Sequence, residues 1–208
     1  MRLILVRHGQ AEHRGNEADN LYLTDLGKRQ VEALGQWLAD NESEVSSIIC
    51  SPLRRAVATA EPLCKAAGIR MQLKDGLKEI AYGQWEGKTP DAVNREFHDD
   101  YVRWLSDPGW HAPTGGERGI DIARRGSRVI EEIEQAYNSG NVLVVSHKAT
   151  IRIMLCSLIG IDVGRFRDRI SMPVAAVSIV EMASQGPFLR MIGDRSHLRE
   201  PLRNREGS

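Results

Sequence analysis

The sequence predicts an α/β protein: a three-layer α/β/α sandwich around a mostly parallel central sheet. Two observations predict it. Residues 2–6, 46–50 and 141–146 are short, continuous apolar runs rich in β-branched residues, the pattern of strands buried on both faces. Each is followed, directly or after a polar stretch, by apolar residues at helical spacing. Strand–helix alternation of this kind builds a parallel sheet with helices on both faces.

The first run stops abruptly at Arg7-His8-Gly9. Thr24-Asp25 then caps a helix in which Leu26, Val31, Leu34 and Leu38 recur to about Ala39. After the second strand, Ser51 reads as an N-cap and Pro52 as the first residue of a helix ending near Gly68. The segment from about 76 to 119 differs in character, holding three of the four tryptophans and little alternation. It reads as a helical excursion over one edge of the site, with a helix at about 91–105 and an irregular stretch at 107–116. A further helix spans 120–137, with Ile122, Val129, Ile130 and Ile133 on one side. Val142-Leu143-Val144-Val145 is the strongest strand signal, ends at Ser146-His147, and leads into a helix to about Leu158. Residues 175–180 and 187–192 form a closing pair of strands. One domain over 1–195 is expected, with a polar, aperiodic and loose tail at 196–208.

Composition narrows the function classes. The apolar (41%) and charged (27%) fractions are those of an ordinary soluble protein. Twenty-eight basic and 28 acidic residues balance, which argues against a general nucleic-acid binder. Cys50, Cys64 and Cys156 are odd in number and sit in apolar runs, as reduced core residues do. The N-terminal apolar run is far too short for a signal peptide or a membrane span, so no membrane association and a cytoplasmic location are expected.

Three strands end in residues that can carry chemistry. The first delivers Arg7 and His8, the second Ser51 with Arg54 and Arg55, and the last Ser146, His147 and Lys148. In open α/β sheets, ligands bind beyond the carboxyl ends of the strands. Two histidines and several cations would therefore converge there, beside helix N-termini with unpaired N–H groups. Such a pocket suits a phosphate. Glu79, Glu86 and Glu117 stand in glycine- and aromatic-containing loops as candidate acids. There is no glycine-rich dinucleotide fingerprint, no nucleotide phosphate loop and no cysteine pair, so neither a cofactor nor a metal is expected.

The run Leu5-Val6-Arg7-His8-Gly9 resembles the signature of the histidine phosphatase superfamily, in the branch with cofactor-dependent phosphoglycerate mutases and fructose-2,6-bisphosphatase. The resemblance continues through residues 23–27, Ser51-Pro52-Leu53-Arg54-Arg55-Ala56 with Thr59-Ala60, residues 77–87, 113–117, and Val144-Val145-Ser146-His147. It implies a metal-independent reaction in which His8 carries the phosphoryl group. Arg7, Arg55 and a cationic His147 would surround its oxygens, and Glu79 would serve as proton donor and then base. Thr24 joins the phosphate-binding candidates. Where the family usually has an Asn seven positions after the signature Arg, this chain has Arg14, with Asn16 two further on; either could fill that place. Lys148 replaces the usual small residue after the second histidine and could meet a second anionic group. A compact middle and a tail poor in apolar residues favour a phosphatase of small phosphorylated metabolites over a mutase. A phosphoprotein phosphatase and a non-catalytic phosphate binder are the remaining alternatives.

Overall fold

The computed structural model describes residues 1–12, 21–41 and 45–203. Its strands are β1 (Arg2–Arg7), β2 (Val45–Cys50), β3 (Gln72–Leu73), β4 (Asn141–Ser146), β5 (Val177–Ala183) and β6 (Gly186–Asp194). Its α-helices are α1 (Asp25–Asn41), α2 (Arg54–Ala67), α3 (Pro90–Glu96), α4 (His98–Ser106), α5 (Gly119–Ala136), α6 (Lys148–Ile159), α7 (Phe166–Arg169) and α8 (Glu200–Arg203). The strands join in one sheet in the order β3-β2-β4-β1-β5-β6. β3, β2, β4 and β1 run parallel, while β5 and β6 are antiparallel additions at one side.

Side chains alternate across each strand, so two cores form, one per sheet face. Ile4, Val6, Leu143 and Val145 pack with Leu34 of α1 and Ala56, Ala60 and Leu63 of α2. Leu3, Leu5, Val142 and Val144 pack with Ile122, Ile130 and Ile133 of α5 and Ile151 and Met154 of α6. This explains the continuous apolar runs: both faces of these strands are covered. Neighbouring β1 and β4 send their following helices, α1 and α6, to opposite faces. A crevice is left at their carboxyl ends, where Arg7 pairs with Ser146 in register.

The structure departs from the sequence reading in several places. The second helix starts at Arg54, not at Ser51-Pro52, and Leu53 occupies the N-cap position without a side-chain cap. Ser51 is drawn into the site instead. The helix expected at 91–105 is two helices, broken at Phe97 (φ −134°, ψ 41°). No helix breaker stands there; the break lets Phe97, Tyr101 and Trp104 all gather around Trp85. The short edge strand β3, with both residues exposed, carries no burial pattern and is not foreseen. The expected strand beginning at Ala175 starts at Val177, because Ala175 takes a left-handed backbone (φ 55°) and donates its N–H to the His8 carbonyl at 3.1 Å. The tail expected to be loose is docked as far as Arg203. Leu198 is fully buried, and Gln30 of α1 donates to the Leu202 carbonyl at 3.0 Å. A buried leucine, a side-chain-to-backbone hydrogen bond and the Trp37–His197 ring contact at 6.1 Å hold it, and none of them leaves a periodic signature.

Candidate active site

The site is built on the ends of β1, β4 and β2. His8 leaves β1 with its N–H bonded to the Ser146 carbonyl, 3.1 Å, so the two histidine-bearing strand ends are tied together. The loop after His8 lies directly on the first turn of α1. A Cβ on Gly9 would stand 2.8 Å from the Gly27 carbonyl oxygen, and one on Gly27 would stand 2.1 Å from that of Gln10. Only glycine permits this approach at both positions. The Gly9 N–H donates to Thr59 Oγ1 of α2 and the Gln10 N–H to Gln30 Oε1 of α1, pinning the loop from two sides.

His8 is buried. Its Nδ1 lies 2.7 Å from its neighbour's carbonyl, Gly9 O, which can only accept, so the ring proton is assigned to Nδ1. Nε2 then carries the lone pair, and it accepts the Arg55 Nε–H at 3.2 Å. Burial, reinforced by Arg7 and Arg55, holds the imidazole well below its usual range. It is a neutral base whose free nitrogen meets the Arg55 guanidinium, with Arg7 as a second cationic neighbour.

His147, at the end of β4, is fully buried, with its ring centroid 5.2 Å from that of His8. Its Nε2 lies 2.7 Å from Ser51 Oγ, which also accepts the Leu53 N–H. Among the described residues the Ser51 hydroxyl proton has no other acceptor, so it points to Nε2 and the histidine carries its proton on Nδ1. That Nδ1 is buried and has no partner. The expectation of a cationic His147 does not describe the unliganded protein: burial, then His8, Arg55 and Arg7, hold its pKa well below the ordinary value. The sequence places Ser51 at a chemistry-bearing strand end and reads it as a cap; its bond to His147 has no local signal.

Arg7 is buried and donates through Nη1 to the Met172 carbonyl, 2.6 Å, while its Nε is buried without a partner. Burial lowers its pKa to about 10, although Glu79 acts in the opposite direction. Arg55 is buried beside His8, whereas Arg54 turns outward onto the Tyr22 ring, 5.1 Å from its centroid.

Of the three candidate acids only Glu79 reaches this crevice. Its Oε1 accepts from the Ala149 and Thr150 N–H groups, each at 3.2 Å, and from its own neighbour Ile80 at 3.0 Å. The N-terminus of α6, expected to offer free N–H groups to phosphate, is thus capped by Glu79. Glu117 is held by Arg125 through two bonds of 2.8 and 3.0 Å, and Glu86 accepts the Tyr82 N–H at 2.8 Å. Arg125 also donates to the carbonyls of Gly76 and Glu79, which anchors the loop that presents Glu79.

The remaining expectations divide. Lys148 stands half-buried at the first position of α6, with Arg7 and Arg152 as charged neighbours. Thr24 is used locally, donating to Gln10 Oε1 at 2.9 Å and accepting the Gly27 N–H at 3.0 Å. It caps α1 and steadies the loop after His8. Arg14 and Asn16 lie outside the described residues.

Comparison with known proteins agrees with this geometry. Residues 3–195 match the histidine phosphatase superfamily (branch 1). The chain is 29% identical over 204 residues to phosphoserine phosphatase 1 of Hydrogenobacter thermophilus, covering 96% of this chain and 95% of that one. It is 30% identical over 173 residues to the glucosyl-3-phosphoglycerate phosphatase of Mycolicibacterium vanbaalenii, covering 78% and 76%. Mycobacterial relatives 33% identical over 203 residues are longer proteins, of which the chain spans 55%. Among solved structures, Bacillus stearothermophilus YhfR superimposes with a TM-score of 0.85 at 26% identity, covering 94% of this chain and 98% of that one. The match over nearly the whole chain, with two buried histidines and a buried arginine at the strand ends and a second buried arginine in the first turn of α2, places this protein in branch 1 of the histidine phosphatase superfamily, as a phosphoric monoester hydrolase.

Proposed function

We propose that this protein hydrolyses small phosphorylated metabolites in two steps, through a phosphohistidine at His8 and without a metal. The observation that carries the reading is a pair of buried donors without partners, Arg7 Nε and His147 Nδ1, on two residues that neighbour a neutral His8. Buried polar groups are nearly always satisfied, so such a pair calls for a ligand with acceptor oxygens. A phosphoryl group offers them. Arg55 releases His8 Nε2 and turns its Nε–H to a phosphoryl oxygen, which frees the nucleophile as the substrate enters.

In the first step the lone pair of His8 Nε2 attacks phosphorus in line. The ester P–O bond breaks, and the proton on Glu79 goes to the leaving oxygen. In the second step Glu79 takes a proton from water, the oxygen attacks phosphorus, and the P–N bond breaks to return His8 and release phosphate. Arg7, Arg55 and His147 stabilise the charge on the equatorial oxygens in both steps. Phosphate entry supplies the negative charge that favours protonation of His147. We place this activity in the cytoplasm. The three cysteines are unpaired, and Cys50 and Cys156 are buried, with burial pushing both thiols up and Cys156 to about 11. Among the described residues no helix is long and apolar enough to cross a membrane.

The test is hydrolysis of p-nitrophenyl phosphate and of a metabolite panel in EDTA, wild type beside His8→Ala. Metal-independent release that falls by at least ~10⁴-fold in a folded variant, together with an acid-labile phosphoenzyme in the wild type, is the expected result. Equal rates in the two proteins would overturn it. A folded wild type that turns over nothing would shift the reading to a mutase needing a primed histidine or to a phosphate binder.

A further inference from the structure

The loop that leads away from His8 is tied to the C-terminal segment of the chain, and one glutamine makes the connection. Gln30 lies in α1, is only 1% exposed, and its side-chain amide has a partner at each end. Oε1 accepts the Gln10 N–H at 2.9 Å, and Nε2 donates to the Leu202 carbonyl at 3.0 Å. Both partners are main-chain groups, one only a donor and the other only an acceptor. A single orientation of the amide therefore satisfies both. Turned over, it would set N–H against N–H at Gln10 and oxygen against oxygen at Leu202.

The segment that supplies the Leu202 carbonyl is braced by its own side chains. Asp194 Oδ2 accepts the Ser196 N–H at 2.9 Å, and Arg203 Nη2 donates to the Ser196 carbonyl at 3.1 Å. Arg203 Nε donates to the Leu198 carbonyl, and Arg195 Nη1 donates to the Arg203 carbonyl at 3.1 Å. The braced turn docks through the fully buried Leu198 and the contact of His197 with Trp37 of α1, and α8 packs against α1. A second tie runs from the same turn to the nucleophile. The Ala175 backbone neighbours the His197 ring, and the Ala175 N–H donates to the His8 carbonyl. Ala175 holds a left-handed backbone that alanine rarely adopts, as expected where the surroundings impose a geometry.

We propose that Gln30 is a positioning residue for the phosphoryl transfer, which relays the docking of residues 194–203 to the loop after His8 and so keeps His8 Nε2 aimed at phosphorus. The proposal rests on the reading of His8 as nucleophile and adds to it a residue that touches neither substrate nor the reacting atoms. Without the Leu202 carbonyl the Gln30 amide loses the partner that fixes its orientation, and the Gln10 N–H loses a fixed acceptor. In-line attack tolerates little of this, since a misplacement of about 1 Å can cost ~10²-fold in rate. Arg7, Arg55 and His147 stand on β1, α2 and β4, outside this loop, so phosphate binding is spared.

The experiment is a double-mutant cycle in the full chain with p-nitrophenyl phosphate as substrate. Gln30→Met removes both hydrogen bonds at nearly constant volume, and Leu198→Ala loosens the docked turn without touching Gln30. Steady-state kinetics and the single-turnover rate of phosphoenzyme formation are measured where urea titration shows each variant folded. Gln30→Met should lower kcat and the phosphoenzyme rate by about tenfold or more, with KM within about threefold of wild type. Leu198→Ala should lower kcat in the same way, and the double variant should be no slower than Gln30→Met alone, because both act through one connection. Leu198→Ala carries the same kcat-against-KM test should Gln30→Met fail to fold. Wild-type kcat in either folded single variant, losses that appear in KM instead, or losses that multiply in the double variant would overturn the relay while leaving the phosphohistidine reading intact. Failure of that reading shows separately, as full activity in His8→Ala.

Discussion

The crevice has a floor and a wall, and they are made in different ways. The floor is the carboxyl edge of β1 and β4 with the N-terminal turn of α2. Arg7, His8, Arg55 and His147 stand there on elements whose apolar residues are almost entirely buried. The wall is the 76–119 excursion with the start of α6. It is held by side-chain-to-backbone bonds, by the Arg125–Glu117 pair, and by a small hydrophobic cluster of Trp85, Val93 and Trp104. A floor set by sheet register can place two imidazoles 5.2 Å apart with little freedom. A wall with its own small core can change shape without disturbing that spacing. In the proposed reaction the phosphoryl transfer is the task of the floor and proton delivery by Glu79 the task of the wall.

The comparison can be broken at its catalytic end by Glu79→Gln. The substitution keeps the acceptor oxygen that caps α6 and removes the proton. Loss of ~10²–10⁴-fold in kcat is expected with alkyl phosphates, which need their leaving oxygen protonated, and a much smaller loss with p-nitrophenyl phosphate. Equal losses on both would remove Glu79 from the role of proton donor.

A smaller effect is expected from the wall's own core. Trp85 is 5% exposed, touches Phe97, Tyr101 and Trp104, and donates to Thr114 Oγ1 at 3.1 Å. Trp85→Ala should cost ~3–5 kcal/mol in urea unfolding. A cost below ~1 kcal/mol would mean that the cluster does not hold the excursion in place.

A further test, of similar size, sharpens the electrostatics of the floor. His8 and His147 are held below the ordinary imidazole pKa, whereas an unfolded chain protonates its histidines near 6.5. Above that pH both states are neutral there and the histidines contribute nothing to pH dependence. Below it the unfolded chain binds protons that the native chain refuses, so stability falls as pH falls, by ~1.4 kcal/mol per unit for each histidine. His197, buried near the tail and held at about 4, adds a third contribution that a His197→Gln control removes. Denaturant unfolding without phosphate at pH 7 and pH 5 measures this. A flat profile in the control would contradict the neutral assignment of the two floor histidines.

Much of this was legible before any fold was known, and what was missed has a pattern. Arg7, His8, Arg55, Glu79 and His147 were all named from strand ends and a family resemblance, and the structure brings them to one crevice. Ser51 is legible as a strand-end hydroxyl and a cap but not as the partner of His147, because a hydroxyl after a strand looks the same whether it bonds its own helix or a histidine 96 residues away. The break at Phe97 and the docking of the tail through Leu198 were hidden for a similar reason. Each depends on a contact distant in sequence and leaves no local periodicity.

Local patterns by themselves determined the elements that are buried on both faces, their mostly parallel arrangement, and which residues stand at the strand ends. Those facts follow from side-chain hydrophobicity and period, which a chain carries along its length. Only the tertiary structure decided the protonation states of the two histidines, the capping of α6 by Glu79, and the stacking of Arg167 on Trp104. Those depend on desolvation and on charges brought together across space, and neither is defined until the chain has folded.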